Sequence, residues 1–240
     1  MKNFILFATF IFSLLSCHST IKEEQGVSKK ITTLEYKNKV IDILTKDFPS
    51  LEKYYPETFN NLIVLLNDAH KDGKTNMELR DITRKEIFVL IESRLAHAGD
   101  NEIINYMQIL QLEFEELQKI DGNACYQSML SLNDGYVNHR KLLPKSITDL
   151  EIIAIGEVLK TSTKDKHIPS EEMMLEIMVP VFDYIDEKYG SEFDLLEEIQ
   201  TSDINRKKVC DMTIDLYSVI LELDSADALI VLRWMWGTPD

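Results

Sequence analysis

TNMELRDITRKEIFVLIESRLAHAGD, residues 75–100, is the stretch that decides the fold. Thr75 followed by Glu78 makes a capping box. The threonine hydroxyl can accept from the backbone three residues on, and the glutamate can reach back to the threonine N–H. Apolar residues then fall at Ile87, Leu90, Ile91 and Leu95, one stripe of a 3.6-residue period. A half-buried strand would alternate every second residue instead. Gly99 stands where a left-handed terminating residue is wanted. The spacing predicts a helix over 76–98.

The same pattern spreads outward in both directions. Ile103, Met107, Leu110 and Phe114 form a second stripe, and Leu216, Val219, Ile220 and Leu223 a third. Starts are marked by Pro56 at a first helical position, by the acidic turn after Asp100, and by Ser146, Ser170 and Ser191 with carboxylates just behind them. Stops are marked by Gly73, Gly99, Gly122, Gly135, Gly190 and Gly237. The helices so predicted run 33–47, 56–71, 76–98, 101–120, 123–132, 147–161, 171–189, 192–200 and 204–236. The last has a break near Asp224-Ser225, and Pro180 should kink the seventh. Eight glycines and six prolines in 240 residues are few. The expected fold is all-α, an irregular bundle of about eight or nine helices. Residues 133–146 form the longest non-helical stretch and the best candidate seam, although one helical domain over 33–240 is favoured over two.

Residues 1–17, MKNFILFATFIFSLLSC, follow different rules. Lys2 supplies a positive start, and Phe4 to Leu15 is apolar but shorter than the ~20 residues a spanning helix needs. Leu14-Leu15-Ser16-Cys17 closes the run. An ordinary secretory peptide would carry a small residue where Leu14 stands. These four residues resemble the lipobox of bacterial lipoproteins, whose signal is removed so that the cysteine becomes the lipid-bearing N-terminus. The resemblance covers this segment alone. It implies a signal peptide over 1–16, palmitate-type acyl chains on Cys17 and attachment to a membrane from outside the cytoplasm. Two or more acyl chains hold a protein stably, so the domain needs no membrane-binding surface of its own. No aspartate follows the cysteine, which implies the outer membrane, facing the periplasm, in a cell that has one. Lys22-Glu23-Glu24 is similar to short tags that send some lipoproteins to the cell surface, although it lies further from the cysteine than such tags, and a solvated tether is the favoured reading. Residues 17–32 are polar and read as a flexible tether.

Charge narrows the partners. The chain has 26 basic and 41 acidic residues, a net charge of −15, and loss of the signal removes only Lys2. This argues against a basic nucleic-acid surface and disfavours adsorption on anionic lipid. It favours steering toward a basic protein partner. Beyond Cys17 the cysteines are Cys125 and Cys210. Export permits a disulfide between them, and two buried free thiols are the alternative.

Catalytic and ligand signatures are missing. The histidines, His18, His70, His97, His139 and His167, make no HExxH or ExxH pattern, and no nucleophile elbow, P-loop or dinucleotide fingerprint occurs. No cofactor or metal is expected. Asp68 to Gly73 with Glu78 has some features of a calcium loop, but His70 stands at a ligand position and Glu78 arrives one residue early. A helix–glycine turn–helix connection explains those residues. The pairs Glu115-Glu116, Glu171-Glu172 and Glu197-Glu198 point about 100° apart on a helix and read as solvated faces.

Two features could bind a partner. Asp211 and Asp215 share a helix face four residues apart, a like-charge pair that a cation would relieve, although a cap and ordinary surface charge are the favoured reading. Trp234 and Trp236 lie close together at the C-terminal end and are not expected to face one core together, so one packs and the other either covers a helix end or is left as an aromatic anchor. The best-supported function is a membrane-anchored, extracytoplasmic helical binding protein, in the form of an immunity or inhibitor protein or an envelope accessory lipoprotein. The alternative is an envelope-acting hydrolase with an unrecognised active site, and a solute-binding component ranks last.

Overall fold

A computed structural model describes residues 33–129, 142–196 and 205–237. The signal, Cys17, the tether, His18, His139, Gly135, the Glu197-Glu198 pair and most of the 133–146 seam lie outside them. Among the described residues the chain is all-α: ten α-helices, one 3-10 segment and no strand. The α-helices are α1 Thr33–Asp47, α2 Pro49–Tyr54, α3 Pro56–Lys71, α4 Asn76–Leu95, α5 Asp100–Ile120, α6 Gly122–Met129, α7 Lys145–Thr161, α8 Glu171–Tyr189, α9 Arg206–Glu222 and α10 Ser225–Trp236. The 3-10 segment is Gly190–Leu196.

The long amphipathic α5 is the hub, packing against α6, α7, α9 and α10. Its residues Ile103, Met107 and Leu117 are fully buried. Helices α1 to α3 form one flank, joined to the hub through α7 and α4, while α8 closes over α9 and α10. A single large apolar cluster runs through all the α-helices except α6, from Val40 and Leu44 on α1 to Val231 and Leu232 on α10. Smaller clusters surround Cys125–Cys210 and the 3-10 segment.

Local chemistry accounts for most boundaries. The capping box forms as read: the Glu78 N–H donates to Thr75 Oγ1 at 3.3 Å, and the Thr75 N–H donates to Glu78 Oε2 at 2.8 Å. Ser170 caps α8 by accepting from Met173 N–H. Asp224 caps α10 by accepting from Ala226 and Asp227 N–H, which breaks the long C-terminal helix where its sequence suggested. Gly73 has φ +80° and takes the left-handed role. Gly190 also has positive φ, at +55°.

Several expectations need correction. Helix α7 starts at Lys145, with Pro144 as its cap residue, so Ser146 lies inside it. Asp149, read as the carboxylate behind that cap, is held by Lys145 Nζ at 2.5 Å. Helix α4 ends at Leu95, and Gly99 has φ −57° and precedes α5. A side chain from α10 satisfies carbonyls beyond the end of α4, so no left-handed glycine is required there. The 192–200 segment is 3-10 over Gly190–Leu196. The short α2 was not foreseen, because six residues are too few to show a period, yet its Leu51 is fully buried. Pro180 lies inside α8 as expected, on its exposed side.

Candidate functional site

Helices α6 and α9 meet at a disulfide between Cys125 and Cys210, both fully buried. Phe114, Leu117, Leu143 and Ile147 pack around it. The same junction is tied by polar contacts. Gln118 Nε2 donates to the Lys207 carbonyl at 2.9 Å and to Asp211 at 2.5 Å, and Arg206 Nη1 donates to Asn123 Oδ1 at 2.5 Å.

Asp211 and Asp215 therefore have partners within the fold. Asp211 also faces Lys207 at 3.6 Å. Asp215 accepts from the Tyr189 hydroxyl and from Lys188 Nζ at 2.5 Å, both on α8. Burial, and then the bond to Asp215, raise the Tyr189 pKa. The pair acts chiefly as a clamp from α9 onto α5 and α8. Each carboxylate stays partly exposed.

Both tryptophans pack against the main core, contrary to the expectation that they could not share it: Trp234 is buried in it and Trp236 is partly buried against it. Arg233 between them was not singled out by sequence reasoning. Its guanidinium is buried, donating to the Ala96 and Ala98 carbonyls and to Asp100 Oδ1 at 2.6 Å. Asp100 also holds Lys166 at 3.2 Å, and the bonds from Lys166 and Arg233 keep its carboxyl below the ordinary range. Arg94 donates to the Ser162 carbonyl and to Asp165, and His97 Nδ1 accepts from the Lys166 N–H at 2.9 Å. This network fastens residues 162–166 across the α4–α5 corner.

Titratable groups also gather inside. The Tyr106 hydroxyl is raised by burial and by the negative charges of Glu151, Glu113 and Glu92. Burial pushes Glu92 up to about 7 and Tyr217 up to about 12. Among the described residues no group of three His, Cys, Asp or Glu side chains is arranged to hold a metal ion. The residues that suggested a calcium loop are engaged locally: Glu78 in the capping box and with Lys74, Asp68 with Lys71, and His70 stacked on Tyr36 at 3.7 Å.

The outer face of α8 is strongly acidic. The helix holds six carboxylates, Glu171, Glu172, Glu176, Asp183, Asp186 and Glu187, against Lys188, which is already paired with Asp215. None of the six makes an ion pair among the described residues. Met173, Val179 and Tyr184 on the same helix are about half exposed. A shallow depression lies between Leu175 and Val179, rimmed by Glu171, Glu172 and Glu176. The signal was present in the sequence as the charge count over 171–189.

The class of protein defined by these features is an all-α domain with an internal disulfide, which suggests an oxidising, extracytoplasmic location. Among the described residues no helix is long and apolar enough to cross a membrane. The chain matches no protein family, no curated protein and no solved structure in comparisons with known proteins.

Proposed function

We propose that this protein is a lipoprotein, anchored through Cys17 outside the cytoplasm, that binds a basic protein partner. Its form is an immunity or inhibitor protein or an envelope accessory lipoprotein. The observation that carries the reading is the charge: 41 acidic against 26 basic residues. Such an excess speeds encounter with a cationic partner. The Leu14–Cys17 motif and the Cys125–Cys210 disulfide support the extracytoplasmic setting. The anchor leaves the domain surface free for a soluble ligand or a neighbour in the envelope.

Crosslinking in intact cells, followed by purification from detergent-solubilised envelopes, tests the reading. A stoichiometric partner with a basic surface, whose association slows as salt is added, supports it. Absence of any stoichiometric partner, with turnover of an envelope substrate by the purified protein, replaces it with the hydrolase reading.

A further inference from the structure

We infer that the outward face of α8 is the docking surface, and that its occupant is a basic, amphipathic helical segment of another protein. The inference rests on the proposed binding function and assigns it a place. Successive helical residues turn by about 100°, so Glu172, Glu176, Val179, Asp183 and Glu187 share one stripe. Met174, Met178, Val181 and Ile185 are buried on the opposite side. The outward stripe thus has its own pattern, carboxylates at both ends and an aliphatic residue in the middle, with Met173 and Tyr184 flanking it.

Glu172, in the first turn, is favoured by the helix dipole, but the stripe as a whole is not self-compensating. Glu172 with Glu176 and Asp183 with Glu187 are like pairs four apart, each weakly destabilising. Asp186 and Glu187 stand near the negative end of the helix dipole, where cations are favoured. Lys188, the one base on α8, is drawn off to Asp215. Pro180 has no N–H, so the Glu176 carbonyl lacks its usual helical donor in the middle of the exposed face. The stripe is a row of acceptors without donors.

That arrangement selects its ligand. A second copy of this chain would bring six more carboxylates to the same place. Anionic lipid and nucleic acid are repelled for the same reason. An unstructured lysine-rich segment would satisfy the charges but leave Val179, Met173 and Tyr184 in water. A helix with an apolar stripe bordered by lysine or arginine covers the aliphatic centre and donates to the carboxylates and the Glu176 carbonyl.

The test uses the full lipidated chain in non-ionic detergent, with three fluorescent peptides as probes. They are an amphipathic helix of leucine and lysine, a scrambled peptide of the same composition, and the amphipathic helix with glutamate for lysine. The amphipathic basic peptide should bind saturably and one to one, above a detergent-only blank, while the other two bind at least roughly tenfold more weakly. Glu176→Lys with Asp183→Lys should weaken binding roughly tenfold or more, mainly through slower association. Val179→Ser with Tyr184→Ser should weaken it through faster release. Asp42→Lys with Glu57→Lys, the same charge change on α1 and α3, should alter it little. Circular dichroism confirms that each variant is folded. Equal binding of the scrambled peptide, or equal losses from the α1/α3 and α8 variants, overturns the inference. If the partner crosslinked in cells is still captured by the folded Glu176→Lys/Asp183→Lys chain, the α8 assignment falls and the binding reading stands. If the unaltered chain has no partner, the binding reading itself falls.

Discussion

Arg233, near the end of the chain, donates from Nη2 to the Ala98 carbonyl 2.9 Å away, across 135 residues of sequence. The same guanidinium reaches the Ala96 carbonyl and Asp100. One side chain on α10 therefore satisfies the backbone between α4 and α5 and fixes the corner where they turn. Arg233→Met would leave two carbonyls without a donor and Asp100 without its buried partner, lowering the unfolding free energy by about 3 kcal/mol. Arg233→Lys should recover less than half of that, since an ammonium cannot reproduce the planar fork. Urea denaturation of the three chains measures both.

Loss of the disulfide should be felt globally. Cys125 and Cys210 are 85 residues apart, and the link limits the unfolded chain by about 4 kcal/mol. Cys125→Ala with Cys210→Ala should unfold at correspondingly lower denaturant, and a reducing agent should shift the unaltered protein in the same direction. Coincident denaturation curves with and without reductant would show that the link is not closed in solution.

Glu92 gives stability a pH dependence of known sign. Burial raises its folded pKa from 4.5 to about 7, so the fold favours the protonated acid. Its contribution is full below about 4.5 and is lost as pH rises through about 7. Glu92→Gln should match the unaltered protein near pH 4 and melt at a higher temperature near pH 8. A melting difference that stays constant across that range would remove Glu92 as the cause.

The Asp211/Asp215 pair should behave first as a structural clamp. Asp215→Lys sets a second ammonium beside Lys188 and removes the acceptor of the Tyr189 hydroxyl, costing about 1–2 kcal/mol. Asp211→Lys, nearer solvent, should cost less. If both substitutions leave the melting temperature unchanged and both slow partner association, the pair belongs to the interface as its sequence spacing suggested.

Anchoring is tested at Cys17. Cys17→Ser expressed in the native host should move the protein from the detergent phase to the soluble phase. A variant that stays in the detergent phase overturns the lipoprotein proposal.

Much of this protein is decided within a few residues of each position. Capping needs only neighbours, so Thr75, Glu78, Ser170 and Asp224 were legible, as were the α4, α5 and α9 stripes and the break before Ser225. The charge excess and the two candidate half-cystines were legible as well. Pairing Cys125 with Cys210, however, requires α6 to lie against α9, which no local pattern states. The same holds for Arg233, whose three acceptors lie more than 130 residues earlier. Asp211 and Asp215 show why proximity matters. Their spacing read as an acidic pair awaiting a cation; Lys207, one turn earlier on the same helix, was legible as a local partner of Asp211, whereas packing alone supplied Lys188, Tyr189 and Gln118. On α8 the reverse occurred: its carboxylates looked ordinary in sequence, and only the packed structure leaves all six without an ion pair among the described residues. Local sequence determined the helices because caps and periodicity act over a few residues. Tertiary structure decided which charges stay uncompensated, because electrostatics depends on what packing brings within a few ångströms.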